Sequence, residues 1–239
     1  MPVFALIDAP VFPRPALAEP NGLLAVGGDL SLERLVAAYR QGIFPWYDAE
    51  SPILWWSPDP RPIVLPGALV VSRRLERTIR SGKFQVRLDG DFSGVIRGCA
   101  GVRRETQDGT WLVPEMIEAY EALHRAGYAH SAEAWLDGTL VGGAYGVAVG
   151  RAFFGESMFH LVTDASKVAF VALARFLGDN GFHFIDCQQA TGHLLRFGAV
   201  EVARSDFMRR LRAARECPDL PGPWRLDAGM PEGSTREAE

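Results

Sequence analysis

The thirty-residue run "HSAEAWLDGTLVGGAYGVAVGRAFFGESMF" (His130–Phe159) constrains this chain more than any other stretch. Aromatic, β-branched and small residues dominate it, broken only at Asp137-Gly138 and at Gly150. Such breaks suit tight hairpin turns, so the run predicts a three-strand antiparallel meander. Amphipathic helices flank it. In "PEMIEAYEALHRAG", Pro114 suits the first helical position and Gly127 the position past the end. Met116, Ile117, Tyr120, Leu123 and His124 line one side of that helix. "TDASKVAFVALARFLGDNG" predicts a second helix, capped at Thr163 or Asp164 and closed at Asn180-Gly181. "FHFIDCQ" reads as a short strand, "TGHLLRFGA" as a helical turn and "VEVAR" as another strand. From Pro66 to Arg225 the order is helix, meander, helix, strand, helix, strand. That order implies an α+β fold with helices layered on a mixed, mainly antiparallel sheet.

A different composition precedes it. "GIFPWYDAESPILWWSPDPR" (Gly42–Arg61) holds three of the six tryptophans and four prolines. Proline removes a backbone donor and pushes its predecessor out of the helical region. Trp46, Trp55 and Trp56 therefore sit on or beside irregular backbone, where exposed rings imply something that packs on them. Upstream, "LSLERLVAAYRQG" reads as a helix capped by Asp29 or Ser31, with Leu32, Leu35, Val36 and Tyr39 as its apolar stripe and Gly42 as its end. Gly27-Gly28 lacks both glycine-rich phosphate-loop patterns and reads as a tight turn. These shifts divide the chain into an N-terminal domain over residues 1–62, a larger second domain over 63–225 and an apolar-poor tail over 226–239, expected to be disordered.

Composition narrows the function classes. Three scattered cysteines without a CxxC pair argue against a disulfide framework or structural zinc, and for a reduced cytoplasmic protein. The five histidines show no metal-ligand spacing. No apolar run is long enough for a membrane span, and "MPVFALIDAP" lacks the basic start of a signal peptide. A net charge of −4 argues against a general nucleic-acid binder, but the charge is uneven. Arg73, Arg74, Arg77, Arg80, Lys83 and Arg87 face one acid, Glu76, across seventeen residues. This is either a solvated helix face or a docking strip for phosphates.

Alternation along "FIDCQ" puts Phe184, Asp186 and Gln188 on one face and Ile185 with Cys187 on the other. Asp186 and Gln188 thus make either a polar site or a strand end that caps the next helix. Glu156 in "FFGESMF" is a second acid among bulky apolar residues. Two such acids on neighbouring strands suggest a cationic or amine ligand. Cys187 faces away from Asp186 and reads as a buried structural thiol.

The strings "EPNGLLAVGGDLS", "YRQGIFPWY", "ILWWSPDPR", "DGTW", "GESMF", "ASK" and "IDCQ" resemble, in order from Phe12 to Phe207, those of leucyl/phenylalanyl-tRNA–protein transferases. The resemblance implies transfer of Leu or Phe, less well Met, from aminoacyl-tRNA to the N-terminal Arg or Lys of a protein, marking it for degradation. It implies a Gcn5-type acetyltransferase fold for the larger domain, no cofactor, no metal and a monomer in the cytoplasm. Trp46 and Trp111 match aromatics that hold the terminal adenosine, and stacking suits an unpaired base. Trp55 and Trp56 are then left to interdomain packing. Asp186 and Gln188 match the catalytic pair, and Glu156 would hold the ammonium of the aminoacyl group or of the acceptor. Ala144, Phe153, Phe170, Leu173 and Ile185 would line the amino-acid pocket, while Arg73, Arg74, Arg77, Arg80 and Lys83 would meet tRNA phosphates. The chain departs from the family pattern at Ala144 (a larger residue, often Met, is expected), at Leu173 (an aromatic) and at Arg196 (a small residue). Those positions bear on side-chain preference. Two rivals, an acyl-CoA N-acetyltransferase and a non-catalytic aromatic module, lack respectively the glycine-rich loop for coenzyme A and a use for Asp186 and Gln188.

Overall fold

The computed structural model describes residues 3–101 and 112–226. Trp111 and residues 227–239 lie outside that range. The strands are β1 (Phe4–Ala5), β2 (Leu23–Val26), β3 (Phe44–Pro45), β4 (Leu54–Trp56), β5 (Arg61–Val64) and β6 (Gln85–Leu88). They continue as β7 (Ala129–Leu136), β8 (Thr139–Val149), β9 (Ala152–His160), β10 (Phe184–Asp186) and β11 (Val200–Val202). The helices are α1 (Leu32–Tyr39), α2 (Arg73–Arg80), α3 (Phe92–Gly101) and α4 (Pro114–Arg125). After them come α5 (Ala165–Asp179), α6 (Gly192–Leu195) and α7 (Arg204–Arg215).

Among the described residues these strands form two sheets. A small one has the order β1-β2-β4-β3, and a seven-stranded one the order β11-β5-β10-β9-β8-β7-β6. Only β9 and β10 pair in parallel in the larger sheet, which makes it mixed and mainly antiparallel. The chain changes sheets between Trp56 and Arg61, so Arg61 and Pro62 belong to the larger sheet.

The meander forms as its turn residues dictate. Asp137 (φ 50°) and Gly138 (φ 76°) both take the left-handed conformation that a two-residue hairpin requires. Helices cover both faces of the large sheet. Residues of α1, α3, α4 and α7 pack with the small sheet on one face, joining the two units through a shared core. Residues of α2 and α5 pack on the other face with Phe197 and Trp224. Gly98 lets α3 approach closely, since a Cβ there would lie 2.6 Å from the Phe159 ring. No helix among the described residues is long and apolar enough to cross a membrane.

Of the two helix caps read with alternatives, the first holds through Ser31 and the second needs correction. Ser31 caps α1, its hydroxyl accepting from Arg34 N, while Asp29 pairs with the buried Arg34 guanidinium. Asp164 precedes α5 at φ 69°, and its carboxylate takes Lys167 Nζ instead of a helix amide.

Candidate active site

The parallel register runs from Phe184 opposite Ala152 to Asp186 opposite Phe154. There β10 ends, while β9 continues to His160. The space beyond that shared register is a cavity of about 600 Å³, closed by α5, by α6 and by Phe44 and Trp46 of the small unit. Asp186, Gln188, Trp46, Glu156, Phe153, Ala144, Phe170, Leu173 and Ile185 all line it. Trp111 is outside the described residues.

Asp186 is fully buried at the floor, and its carboxylate is taken. Arg61 from β5 donates Nε to Oδ1 at 2.8 Å and Nη2 to Oδ2 at 2.6 Å. Gln188 N adds a third bond to Oδ1 at 2.9 Å. Arg61 in turn donates Nη1 to Gly42 O and lies over the rings of Phe44 and Phe207. Asp186 does not cap the following helix; Thr191 does, accepting from Leu194 N. Its contact with Gln188 N instead fixes a turn in which Gln188 adopts φ 59°. Strand alternation therefore stops at Asp186, and this turn aims the Gln188 amide into the cavity. Cys187 also lines the cavity, packed against the apolar cluster that holds Ile185 and Leu173, and burial pushes its thiol up, away from nucleophilic use.

Gln188 Nε2 donates to Glu156 Oε1 at 2.7 Å. Tyr39 of α1 and Tyr120 of α4 also reach this carboxyl, at 2.8 Å to Oε1 and 3.1 Å to Oε2. Burial raises Glu156 to about 7, and the nearby Asp186 charge adds to the rise against the lowering effect of these donors. Burial and the same carboxyl raise both phenols well above their ordinary value.

The apolar part of the cavity carries Ala144, Phe153, Phe170, Leu173 and Ile185. Phe170 rests on Phe197 at 4.9 Å, and Phe153 is backed by Trp224 at 6.0 Å between centroids. Met158 stands opposite Ala144 in the strand register and lines the same space. A flexible thioether thus sits beside the small residue.

Trp55 and Trp56 both belong to the core that joins the two units, and they make different contacts. Trp55 is buried inside the small unit, against Phe12 at 4.8 Å and donating Nε1 to Gly27 O. Trp56 supports Trp46, donating Nε1 to Trp46 O at 2.7 Å with the rings edge to face at 5.7 Å. Trp46 is therefore a half-buried ring on a braced loop at the cavity edge.

Arg73, Arg74, Arg77, Arg80 and Lys83 are exposed on and just after α2, outside the cavity. Arg80 pairs with Glu76, which also holds Arg175 of α5. Lys167, at the cavity rim, holds the Asp164 carboxyl below its usual range, and Arg74 and Lys83 lower it further. Two members of the strip, Arg74 and Lys83, thus share the electrostatic surroundings of Asp164. Among the described residues no group of three or more His, Cys, Asp or Glu side chains could hold a metal ion.

The sequence profile described as leucyl/phenylalanyl-tRNA protein transferase matches residues 63–212. That of the family's N-terminal domain matches residues 28–59. This chain belongs to the leucyl/phenylalanyl-tRNA–protein transferase family. A transferase of that name from Solidesulfovibrio magneticus is 74% identical over 226 residues, covering 95% of this chain and 92% of its own. One from Anaeromyxobacter dehalogenans is 58% identical, covering 97% and 99%. One from Nitratidesulfovibrio vulgaris is 59% identical, covering 92% and 94%. Among solved structures, a GCN5-related N-acetyltransferase from Kribbella flavida aligns at 14% identity and TM-score 0.39, covering 70% of this chain and 59% of its own.

Three residues of this aminoacyltransferase's site escape sequence reading: Arg61, Tyr39 and Tyr120. Arg61 follows "PDP" at a domain boundary, and its partner is 125 residues away. Tyr39 and Tyr120 fit the apolar stripes of their helices. Their phenolic oxygens are the available signal, because a buried Tyr hydroxyl needs a polar partner.

Proposed function

We propose that the protein joins Leu or Phe, carried as an aminoacyl-tRNA ester, to the N-terminal Arg or Lys of an acceptor protein. The observation that carries this reading is one cavity with three kinds of lining. Braced Trp46 sits at its edge, apolar residues line one part, and the bonded Gln188 and Glu156 stand at its polar centre. The ester is already activated, so the reaction needs positioning and a neutral amine, and it consumes no nucleotide.

The terminal adenosine stacks on Trp46, with Trp111 as the second ring. The Leu or Phe side chain enters the space among Ala144, Phe153, Phe170, Leu173 and Ile185. Gln188 fixes the reacting groups, and Asp186 acts through it, since Arg61 and Gln188 N occupy its carboxylate. Glu156 meets the ammonium. The basic strip takes tRNA phosphates, and the enzyme acts as a cytoplasmic monomer.

The test supplies purified protein with Leu- or Phe-charged tRNA and a peptide starting with Arg. Peptide extended by one residue is the expected product, with none from acetyl-CoA and none on a peptide starting with Asp. Acetylation, or no extension from charged tRNA, would sink the reading.

A further inference from the structure

The Tyr39, Tyr120 and Glu156 cluster has a proton count that its neighbours do not supply. Tyr39 and Tyr120 oxygens stand 2.5 Å apart, and each also contacts one Glu156 oxygen. That makes three oxygen–oxygen contacts, but two phenols bring only two protons. A hydrogen bond needs one proton, and two bare oxygens so close repel. The third proton belongs to Glu156. With the carboxyl protonated, all three contacts close. With it ionised, both phenols turn to donate to it and the contact between them opens. Gain or loss of a proton here requires only hydroxyl rotation.

We propose that Glu156, held by Tyr39 and Tyr120, is the group that takes the proton from the attacking α-amine. The inference rests on the transferase reading above. Asp186 is the other acid of the cavity, but it is fully buried with its oxygens bound to Arg61 and Gln188. Glu156 is partly exposed and lines the cavity. The groups facing it are Tyr39 from α1, Tyr120 from α4 (with Tyr47 and its partner Glu115 behind), and Asp186 and Gln188 at the end of β10. The Arg61 cation on β5 is committed to Asp186.

The step balances as follows. The acceptor ammonium gives one proton to the Glu156 carboxylate. The freed nitrogen lone pair forms the N–C bond at the ester carbonyl, and the C–O bond to the ribose then breaks. Glu156 passes its proton to the departing ribose oxygen and takes one from the nitrogen, leaving a neutral amide. The carboxyl returns its proton to water. A carboxyl near 7 is matched to an α-amine whose ordinary value is about 8, the condition for efficient proton transfer.

Single-turnover transfer from Phe-tRNA to an Arg-starting peptide, followed from about pH 6 to about pH 9, tests the assignment. Wild type should hold its rate down to about pH 7. Glu156→Gln should begin to fall below about pH 8, the range of the free amine, with a plateau lower on the order of 10²-fold. Tyr120→Phe and Tyr39→Phe each remove a donor from the carboxylate, so their acid limbs should move to higher pH. Affinity for an unreactive aminoacyl-adenosine analogue should stay the same. A lower plateau with an unmoved limb in Glu156→Gln would make Glu156 a positioning group and overturn the proposal. Unmoved limbs in both tyrosine variants would overturn it as well. Wild type that forms no peptide bond at any pH would remove the transferase reading itself.

Discussion

Arg61 meets Asp186 in a two-bond ion pair in which both side chains are fully buried. The pair joins the units of the protein, because Arg61 also holds Gly42 O and lies on Phe44 while Asp186 sets the turn at Gln188. Removing one partner of such a pair strands a buried charge. Arg61→Met should therefore cost about 3–5 kcal/mol of unfolding free energy. A urea titration checks this, and a loss below about 1 kcal/mol would mean that the pair is hydrated in solution.

Chemistry should suffer more than binding when the carboxylate is removed. Asp186→Asn keeps the size of the side chain and one oxygen for Arg61 Nε and Gln188 N, but it sets an amide NH2 against Arg61 Nη2 and leaves that guanidinium without its counter-charge, which shifts the floor on which Gln188 sits. Transfer per folded molecule should fall on the order of 10²-fold or more, with aminoacyl-tRNA affinity nearly unchanged. Wild-type turnover in this variant would take Asp186 out of the mechanism.

Local pattern carried the elements whose logic is local. The meander follows from two turn signals, α4 from Pro114 and Gly127, and the face shared by Phe184 and Asp186 from alternation. Other elements gave no periodic signal. Strand β5 is four residues with a proline, β6 follows an arginine-rich helix, and α3 carries three glycines in ten residues. Helix α7 has five arginines, which mask the stripe made by Phe207, Leu211 and Ala214. In the site, residue types were legible and long-range partners were not. Nothing near Asp186 in sequence announces Arg61, and nothing near Glu156 announces Tyr39, 117 residues away. Such pairings are set when the small unit packs on the sheet, and they show only in three dimensions.

The Glu156 carboxyl also makes stability depend on pH. It keeps its proton up to about 7 in the folded protein, against an ordinary value of 4.5. Between those values the folded state binds more protons than the unfolded one, so stability falls as pH rises. This contribution is complete below 4.5 and gone above about 7. Glu156→Gln cannot ionise, so it should gain on wild type across this window as pH rises. Thermal midpoints of both proteins through the window measure it, and parallel curves would contradict the raised value.

The braced ring predicts a binding defect without a chemical one. Trp46→Ala should weaken an aminoacyl-adenosine analogue by roughly 1–3 kcal/mol, the worth of one base on one ring. Trp56→Phe keeps a ring beside Trp46 but loses the bond to Trp46 O, and should show a smaller loss of the same kind. Calorimetric titration of the analogue separates these variants. Unchanged affinity in Trp46→Ala would make that ring a packing residue.

The strip on α2 separates a docking surface from a solvated helix face through salt. If Arg73, Arg74, Arg77, Arg80 and Lys83 meet tRNA phosphates, binding releases counterions, and affinity falls by a log–log slope of roughly −0.7 to −0.9 for each phosphate met. All five are exposed, and Arg74 and Lys83 already act on Asp164 beside the rim, so the charge is where an approaching backbone would feel it. Arg77→Ala should reduce the slope by about one unit and weaken every tRNA alike. A short aminoacyl-adenosine analogue carries no tRNA body, so its affinity should not change. Arg80→Ala should have a smaller effect, because Glu76 already holds that guanidinium at 3.4 Å. A solvated face gives equal slopes for wild type and both variants, and that result would remove the strip from the interface while leaving the cavity reading intact.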